Sequence, residues 1–316
     1  MAALEKLATR IAGSALFFLV RLLIRVTRQN KSRMHVLDQL ASSLGTALER
    51  FDNPYTVSAS RDLQSAGGFV VMNEGVKIIG RAAERNLKAQ GNSRLEGFDI
   101  IEELASSGIK KPSTIVDIGA NFGEISLCFA QRFPKARIIA VEPVSSNIAV
   151  MEENLAVQDF DTSNIELVKL AVSDKLEEVR ITNHLGSQNS IVAKRNLSHN
   201  RYETVACKSI DQIFSDAGID QCDFLKIDIE GAEPDVREGL ARVLPCVSIV
   251  QLEFSYKNTP ENYAKLVEVF AAAKDQWACF DKDDLASEIP LDQVMQDFAQ
   301  VTGRKPCRNY WFVKQP

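Results

Sequence analysis

The 316-residue chain has only three histidines, His35, His184 and His199, and they are far apart. Its six cysteines (Cys128, Cys207, Cys222, Cys246, Cys279, Cys307) lie at irregular gaps of at least fifteen residues. With no C-x-x-C pair and no Cys/His cluster, neither a zinc site nor a small disulfide scaffold is expected. Buried reduced thiols are the plain reading, as in Ile125-Ser-Leu-Cys128-Phe-Ala. In the apolar N-terminal stretch the longest uncharged run, Ile11–Val20, has ten residues, against roughly 20 for a bilayer span. No small-residue cleavage pattern follows it, so neither a transmembrane span nor a secretory signal is the best reading. A net charge of −5 gives no reason to expect nucleic acid as a partner. Internal repeats and low-complexity segments are absent. So are two phosphate-binding signatures, G-x-G-x-x-G for dinucleotides and G-x-x-x-x-G-K-[ST] for nucleoside triphosphates.

What remains divides into three regions. Residues 1–33 read as one helix carrying seven Lys or Arg against the single acid Glu5. At 100° per residue, Arg10, Ser14, Arg21, Arg25 and Arg28 fall within about 60° of one another, leaving a broad apolar face. Such a helix can make peripheral membrane contact through residues 10–28, pack on the protein or a second subunit, or serve in organellar targeting. Residues 34–112 form a lead-in expected to be mostly helical, with periodicity over Ile78 to Leu87 and Phe98 to Leu104 and a break at Pro54. From 113 to 316 strand-like and helix-like segments alternate, which predicts an α/β domain with a mostly parallel sheet. Seven strands are expected: Thr114–Ile118, Arg137–Glu142, Ile165–Val172, Asp223–Asp228, Val247–Phe254, Gln276–Asp281 and Arg308–Lys314, the last two as an edge pair. The polar insertion Asp174–Lys208 reads as a loop with short strands, suited to substrate contacts.

The first strand leads into Asp117-Ile-Gly119-Ala-Asn121-Phe-Gly123 and then a helical segment, Glu124–Arg132. A glycine turn at a strand's carboxyl end lets a ligand lie against bare backbone. Glu142 ends the second strand, where Pro143 stops it, and is placed to hydrogen-bond a ribose diol. A third cluster is Lys226-Ile-Asp228-Ile-Glu230-Gly-Ala-Glu233. If the strand continues through Glu230, then Lys226, Asp228 and Glu230 share one face. Glu253 closes the next strand. Helix capping near Pro234 accounts for Glu233 and competes for Glu230; it does not account for Asp228. Acids gathered on one rim suit a cation.

Val116–Ser126, Val141–Asn147, Leu170–Asp174, Ser209–Asp211, Leu225–Glu233 and Gln251–Phe254 together resemble the FkbM family of class I S-adenosylmethionine (SAM) methyltransferases. The likeness covers roughly residues 112–316, and Lys226–Glu233 is its most specific element. It implies a Rossmann-like seven-stranded, mostly parallel sheet and methyl transfer from S-adenosyl-L-methionine to a hydroxyl of a saccharide, glycolipid or related natural product. Carried over position by position, Asp117, Gly119, Asn121 and Gly123 hold the methionine end, Glu142 the ribose, with Asn147 beside it, and Asp174 the adenine. Asp228, Glu230 and Glu253 border the reacting centre. Asp228 is the first candidate for the base, His184 or His199 the second. No metal site is assigned, although carboxylates could hold Mg²⁺. The rival reading is a non-catalytic, membrane-attached module that keeps the fold. A cytoplasmic location is expected, and the oligomeric state is left open.

Overall fold

A computed structural model describes residues 70–79, 95–175, 177–182, 202–300 and 307–315. The expected helix at 1–33, most of the lead-in, and all three histidines lie outside the described residues. Among the described residues no helix is long and apolar enough to cross a membrane. The chain divides into two compact units, Met1–Ser93 and Arg94–Pro316.

In the first unit, β1 (Val70–Asn73) and β2 (Val76–Ile79) form an antiparallel hairpin. Glu74 and Gly75 both have positive φ, 47° and 93°, as a tight two-residue turn between twisted strands requires. The helical periodicity expected from Ile78 therefore does not hold there: β-branched residues flanking an Asn-Glu-Gly turn win as strands.

The second unit opens with α1 (Glu96–Ser106), which coincides with the periodicity at Phe98–Leu104. Then follow β3 (Thr114–Ile118), α2 (Glu124–Arg132), β4 (Arg137–Val141), α3 (Ser145–Ala156) and β5 (Ile165–Val168). A small sheet comes next, built from β6 (Ala171–Val172), β7 (Glu178–Thr182) and β8 (Tyr202–Lys208). The order continues with α4 (Ile210–Ala217), β9 (Cys222–Ile227), α5 (Arg237–Val243), β10 (Val247–Ser255) and α6 (Pro260–Ala271). It ends with β11 (Trp277–Asp281), β12 (Asp284–Ile289), α7 (Val294–Gln300) and β13 (Cys307–Lys314).

The main sheet runs β12-β11-β13-β10-β9-β3-β4-β5. The five strands from β10 to β5 are parallel, and their Val/Ile/Leu runs are apolar on both faces because helices cover both. On one face Phe129 of α2 stacks on Phe224 of β9 at 5.7 Å, and Phe224 meets Trp311 of β13 at 5.4 Å. A Cβ on Gly97 would lie 2.7 Å from the Cys128 side chain, so glycine is what lets α1 lie this close to α2. On the other face Phe254, Tyr263, Phe270 and Phe312 join the main apolar cluster.

Three details depart from the sequence reading. The sheet has eight strands: β12, with mostly exposed residues, adds an edge that no apolar run announced. β11 and β13 do pair, but β13 is inserted between β10 and β11, so the pair does not form the edge itself. The expected strand Ile165–Val172 breaks at Lys169-Leu170, sending Ala171–Val172 into the small sheet.

The chain runs outward from β3 to β4 and β5, then returns to the other side for β9 and β10. The strand order thus reverses between β3 and β9. In an open α/β sheet the crevice beyond the carboxyl ends at that switch point is where ligands bind.

Candidate active site

Asp117 is the fourth residue of β3 and is 1% exposed. Its Oδ2 accepts a hydrogen bond from Ser126 Oγ on α2 at 2.7 Å, while Oδ1 accepts none among the described residues. Burial pushes its carboxyl above the usual range, opposed by Lys226 and Ser126. After β3 the chain turns through Gly119 (φ 82°), Asn121 (φ 53°) and Gly123 (φ 80°). A Cβ on Gly119 would stand 1.8 Å from the carbonyl oxygen of Asp228, so only glycine fits where the two strands part. Asn121 tolerates the left-handed backbone better than most residues. Its N–H donates to Glu142 Oε2 at 2.9 Å, and its own buried Oδ1 accepts no hydrogen bond among the described residues.

Glu142 follows β4 and is buried. Its Oε1 accepts from Val144 N at 2.9 Å and Asn147 Nδ2 at 3.1 Å. Burial raises its carboxyl, with these hydrogen bonds pulling the other way. Oε2 accepts one hydrogen bond and keeps a lone pair for a further donor. Asn147 is therefore the residue that orients Glu142. Beside this pair a shallow cleft is lined by Ile118, Gly119, Pro143, Ala171, Ile181 and Ile229, among others. It is apolar and lies over the ends of β3 and β4.

These features fit SAM: an orphaned buried carboxylate oxygen and a glycine turn for the methionine end, an acid for the ribose, and an apolar cleft for the purine. Asp174 stands apart from this set. Its two oxygens accept the Glu238 N–H at 2.7 Å and the Gly239 N–H at 2.9 Å. The carboxylate caps the amino end of α5, a place that favours negative charge. The adenine role expected for it has no support in this geometry.

Across the switch point lies the acid cluster. β9 ends at Ile227, so the strand does not continue through Glu230 as the alternation suggested. Glu230 instead takes a left-handed conformation (φ 59°) and pairs with Lys257. Asp228 and Glu253 do converge, and Glu233 joins them: the three bring one oxygen each within 4.8 Å of one another. Glu233, which capping alone explained at the level of sequence, is fully buried. It accepts the Ile229 and Gly231 N–H groups at 2.9 and 3.2 Å and the Tyr263 hydroxyl at 3.0 Å. It thus braces the turn that carries Asp228. Burial raises Glu233 to about 7, and burial with the neighbouring Asp228 raises Glu253 to about 9. One Glu253 oxygen accepts from Cys307 Sγ at 2.6 Å and the other, buried, accepts no hydrogen bond among the described residues. Such oxygens suit a hard cation in principle, but Glu233 is committed to backbone and hydroxyl donors. Lys226 already places an ammonium 2.9 Å from Asp228 Oδ2.

A doubly wound sheet with an acid near the end of its central strand, a glycine turn after it, and a second acid after the next strand is the layout of a class I SAM-dependent methyltransferase. Residues 117–276 match the family described as methyltransferase FkbM domain, and the chain belongs to that family. Among curated relatives, the AMB antimetabolite synthetase AmbE of Pseudomonas aeruginosa is 28% identical over 177 residues, which are 44% of this chain and 8% of the synthetase. The methyltransferase sdnD of Sordaria araneosa is 27% identical over 155 residues, 40% of this chain and 60% of that protein. The 2-O-methyltransferase NoeI of Sinorhizobium fredii is 27% identical over 165 residues, 46% and 65% of the two chains. The chain therefore spans less than two thirds of the length of each. Among solved structures, the O-methyltransferase TomG of Streptomyces achromogenes in complex with SAM is 12% identical with a TM-score of 0.43, covering 81% of this chain and 96% of TomG.

Proposed function

We propose that the protein transfers the methyl group of SAM to a hydroxyl of a saccharide, glycolipid or related natural product, with Asp228 as the base. The observation that carries this reading is the juxtaposition at the switch point. Asp117 and the glycine turn lie on the β3 side, and Asp228 lies directly across, its carbonyl against Gly119. SAM supplies an electrophilic methyl group on a cationic sulfur. The chain must then hold an alcohol in line and take its proton as the acceptor oxygen gains the methyl. Alignment supplies several kcal/mol, and a positioned base about 10²–10⁴-fold. Asp228 is one-third exposed, whereas Glu233 and Glu253 are buried more deeply and held toward their protonated forms. Glu230 is taken by Lys257. Asp228 is the acid left to receive a proton. The O-methyl direction is supported by the name of NoeI, a 2-O-methyltransferase.

The test is transfer of radiolabelled methyl from SAM to a panel of methyl pyranosides and lipid-linked glycosides. Asp228→Asn is expected to lower transfer about 10²–10⁴-fold while S-adenosylhomocysteine still binds. Undiminished transfer in that variant would remove Asp228 from the role of base.

A further inference from the structure

Lys226 is 3% exposed, on β9, at the centre of a polar row that crosses four strands under α2. In register the row is Asp117 on β3, Lys226 on β9, Gln251 on β10 and Trp311 on β13. A lysine buried in this row needs a reason, since desolvating an ammonium is costly. Its Nζ lies 2.9 Å from Asp228 Oδ2 and 3.9 Å from Asp117 Oδ1, so one cation serves an acid on each side of the switch point. On its other flank Gln251, 1% exposed, has both side-chain polar atoms without a hydrogen-bond partner among the described residues. The lysine is thus aimed at the acids.

We propose that Lys226 is a positioning residue that keeps Asp228, among the clustered carboxylates, in the ionised form that can accept a proton. The inference rests on the reading of Asp228 as the base and adds the group that selects it. The charges facing Asp228 are Lys226 and Asp117 from the sheet, Glu253 with Cys307 from β10 and β13, and Glu233 with Tyr263 from the other side of its turn. The Glu230–Lys257 pair closes the loop after it, and Glu96 of α1, paired with Lys282, acts on Lys226. Acids outnumber cations in this set. Glu253, which has no ion pair among the described residues, is raised to about 9, and Glu233 to about 7. Burial works against the Lys226 ammonium, yet Asp228 and Asp117 outweigh it and hold it above the usual lysine range. Asp228 is the member of the 4.8 Å trio that has an ammonium in hydrogen-bond contact. Removing it takes away the cation in contact with Asp228 and leaves Glu233 and Glu253 as its nearest charged neighbours.

The experiment is ¹³C NMR of the full chain labelled at aspartate side-chain carboxyls, with the Asp228 signal identified by its loss in Asp228→Asn. In Lys226→Gln the pH midpoint of that signal is expected to rise by about one unit or more, the size of effect an opposite charge at this range exerts. Lys226→Arg is expected to restore it. A folded Lys226→Gln chain with an unmoved Asp228 midpoint would overturn the proposal. Should Lys226→Gln alone not fold, Asp117→Asn with Lys226→Gln, compared with Asp117→Asn, decides by the same criterion, because it leaves one fewer buried carboxylate uncompensated. The readout is independent of turnover. If methyl transfer survives Asp228→Asn, the base reading fails even where the midpoint shifts.

Discussion

Glu253→Gln tests the charge crowding at the site without depending on any substrate. Burial, with Asp228 beside it, pushes the Glu253 carboxyl from an ordinary 4.5 up to about 9. Below 4.5 it is protonated in both states and costs nothing. Between 4.5 and 9 the folded chain must retain a proton that the unfolded chain has released, so stability falls as pH rises through this window. Each unit is worth about 1.36 kcal/mol, which sets a ceiling of roughly 3 kcal/mol at pH 7. Residual solvent access at Glu253 reduces the expected gain to about 1–3 kcal/mol. Glutamine keeps an acceptor for Cys307 and puts an amide donor where the orphaned carboxylate oxygen stands. With about 2–4 °C per kcal/mol for a domain of this size, the variant should melt several degrees above the parent at pH 7.5. The gap should close toward pH 4.5. Thermal unfolding followed by circular dichroism across pH 4.5–9 measures it. A gap that does not change with pH, or a variant less stable throughout, would refute the account of Glu253 as an acid held protonated by its neighbours.

Two further substitutions separate binding from scaffolding. Gly119→Ala places a methyl group 1.8 Å from the Asp228 carbonyl and forces alanine to φ 82°; it should cost on the order of 1–3 kcal/mol in urea denaturation and abolish S-adenosylhomocysteine binding. Asp174→Ala removes the cap of α5 and should cost about 1 kcal/mol in the same denaturation assay, with the S-adenosylhomocysteine affinity within twofold of the parent. A large loss of affinity in Asp174→Ala would return that residue to the adenine site.

The glycine turn and the acids after β3 and β4 were legible because each sits at a break in an apolar run. Asp117, Gly119 and Glu142 are where alternating strands and helices put them, and the crevice follows from that alternation. Glu233 was not legible in the same way. It follows a Gly-Ala pair and precedes Pro234, a pattern that reads as an exposed cap, and nothing local announces that the Glu230 turn folds it inward. Glu230 misled for the complementary reason: period-two alternation continued in the sequence after the strand had ended in space. The Asn-Glu-Gly turn at residues 73–75 did carry a hairpin signal, overridden by the helical reading around it. Strand β12 had no apolar run to betray it, since an edge strand exposed to solvent can be built from Asp284, Ser287 and Glu288. Lys226 was visible as a charge in a buried strand, but its partners are set by register with β3, which sequence spacing does not contain.

The claim on which the site depends is that the β3 turn and its acids grip an adenosyl sulfur ligand. Isothermal titration of S-adenosylhomocysteine into the intact chain measures this directly. One site with a dissociation constant in the micromolar range is expected, lost in Asp117→Asn and in Glu142→Ala while both variants remain folded. A folded parent chain that gives no binding heat at millimolar ligand, and no ligand-induced rise in melting temperature, would contradict it.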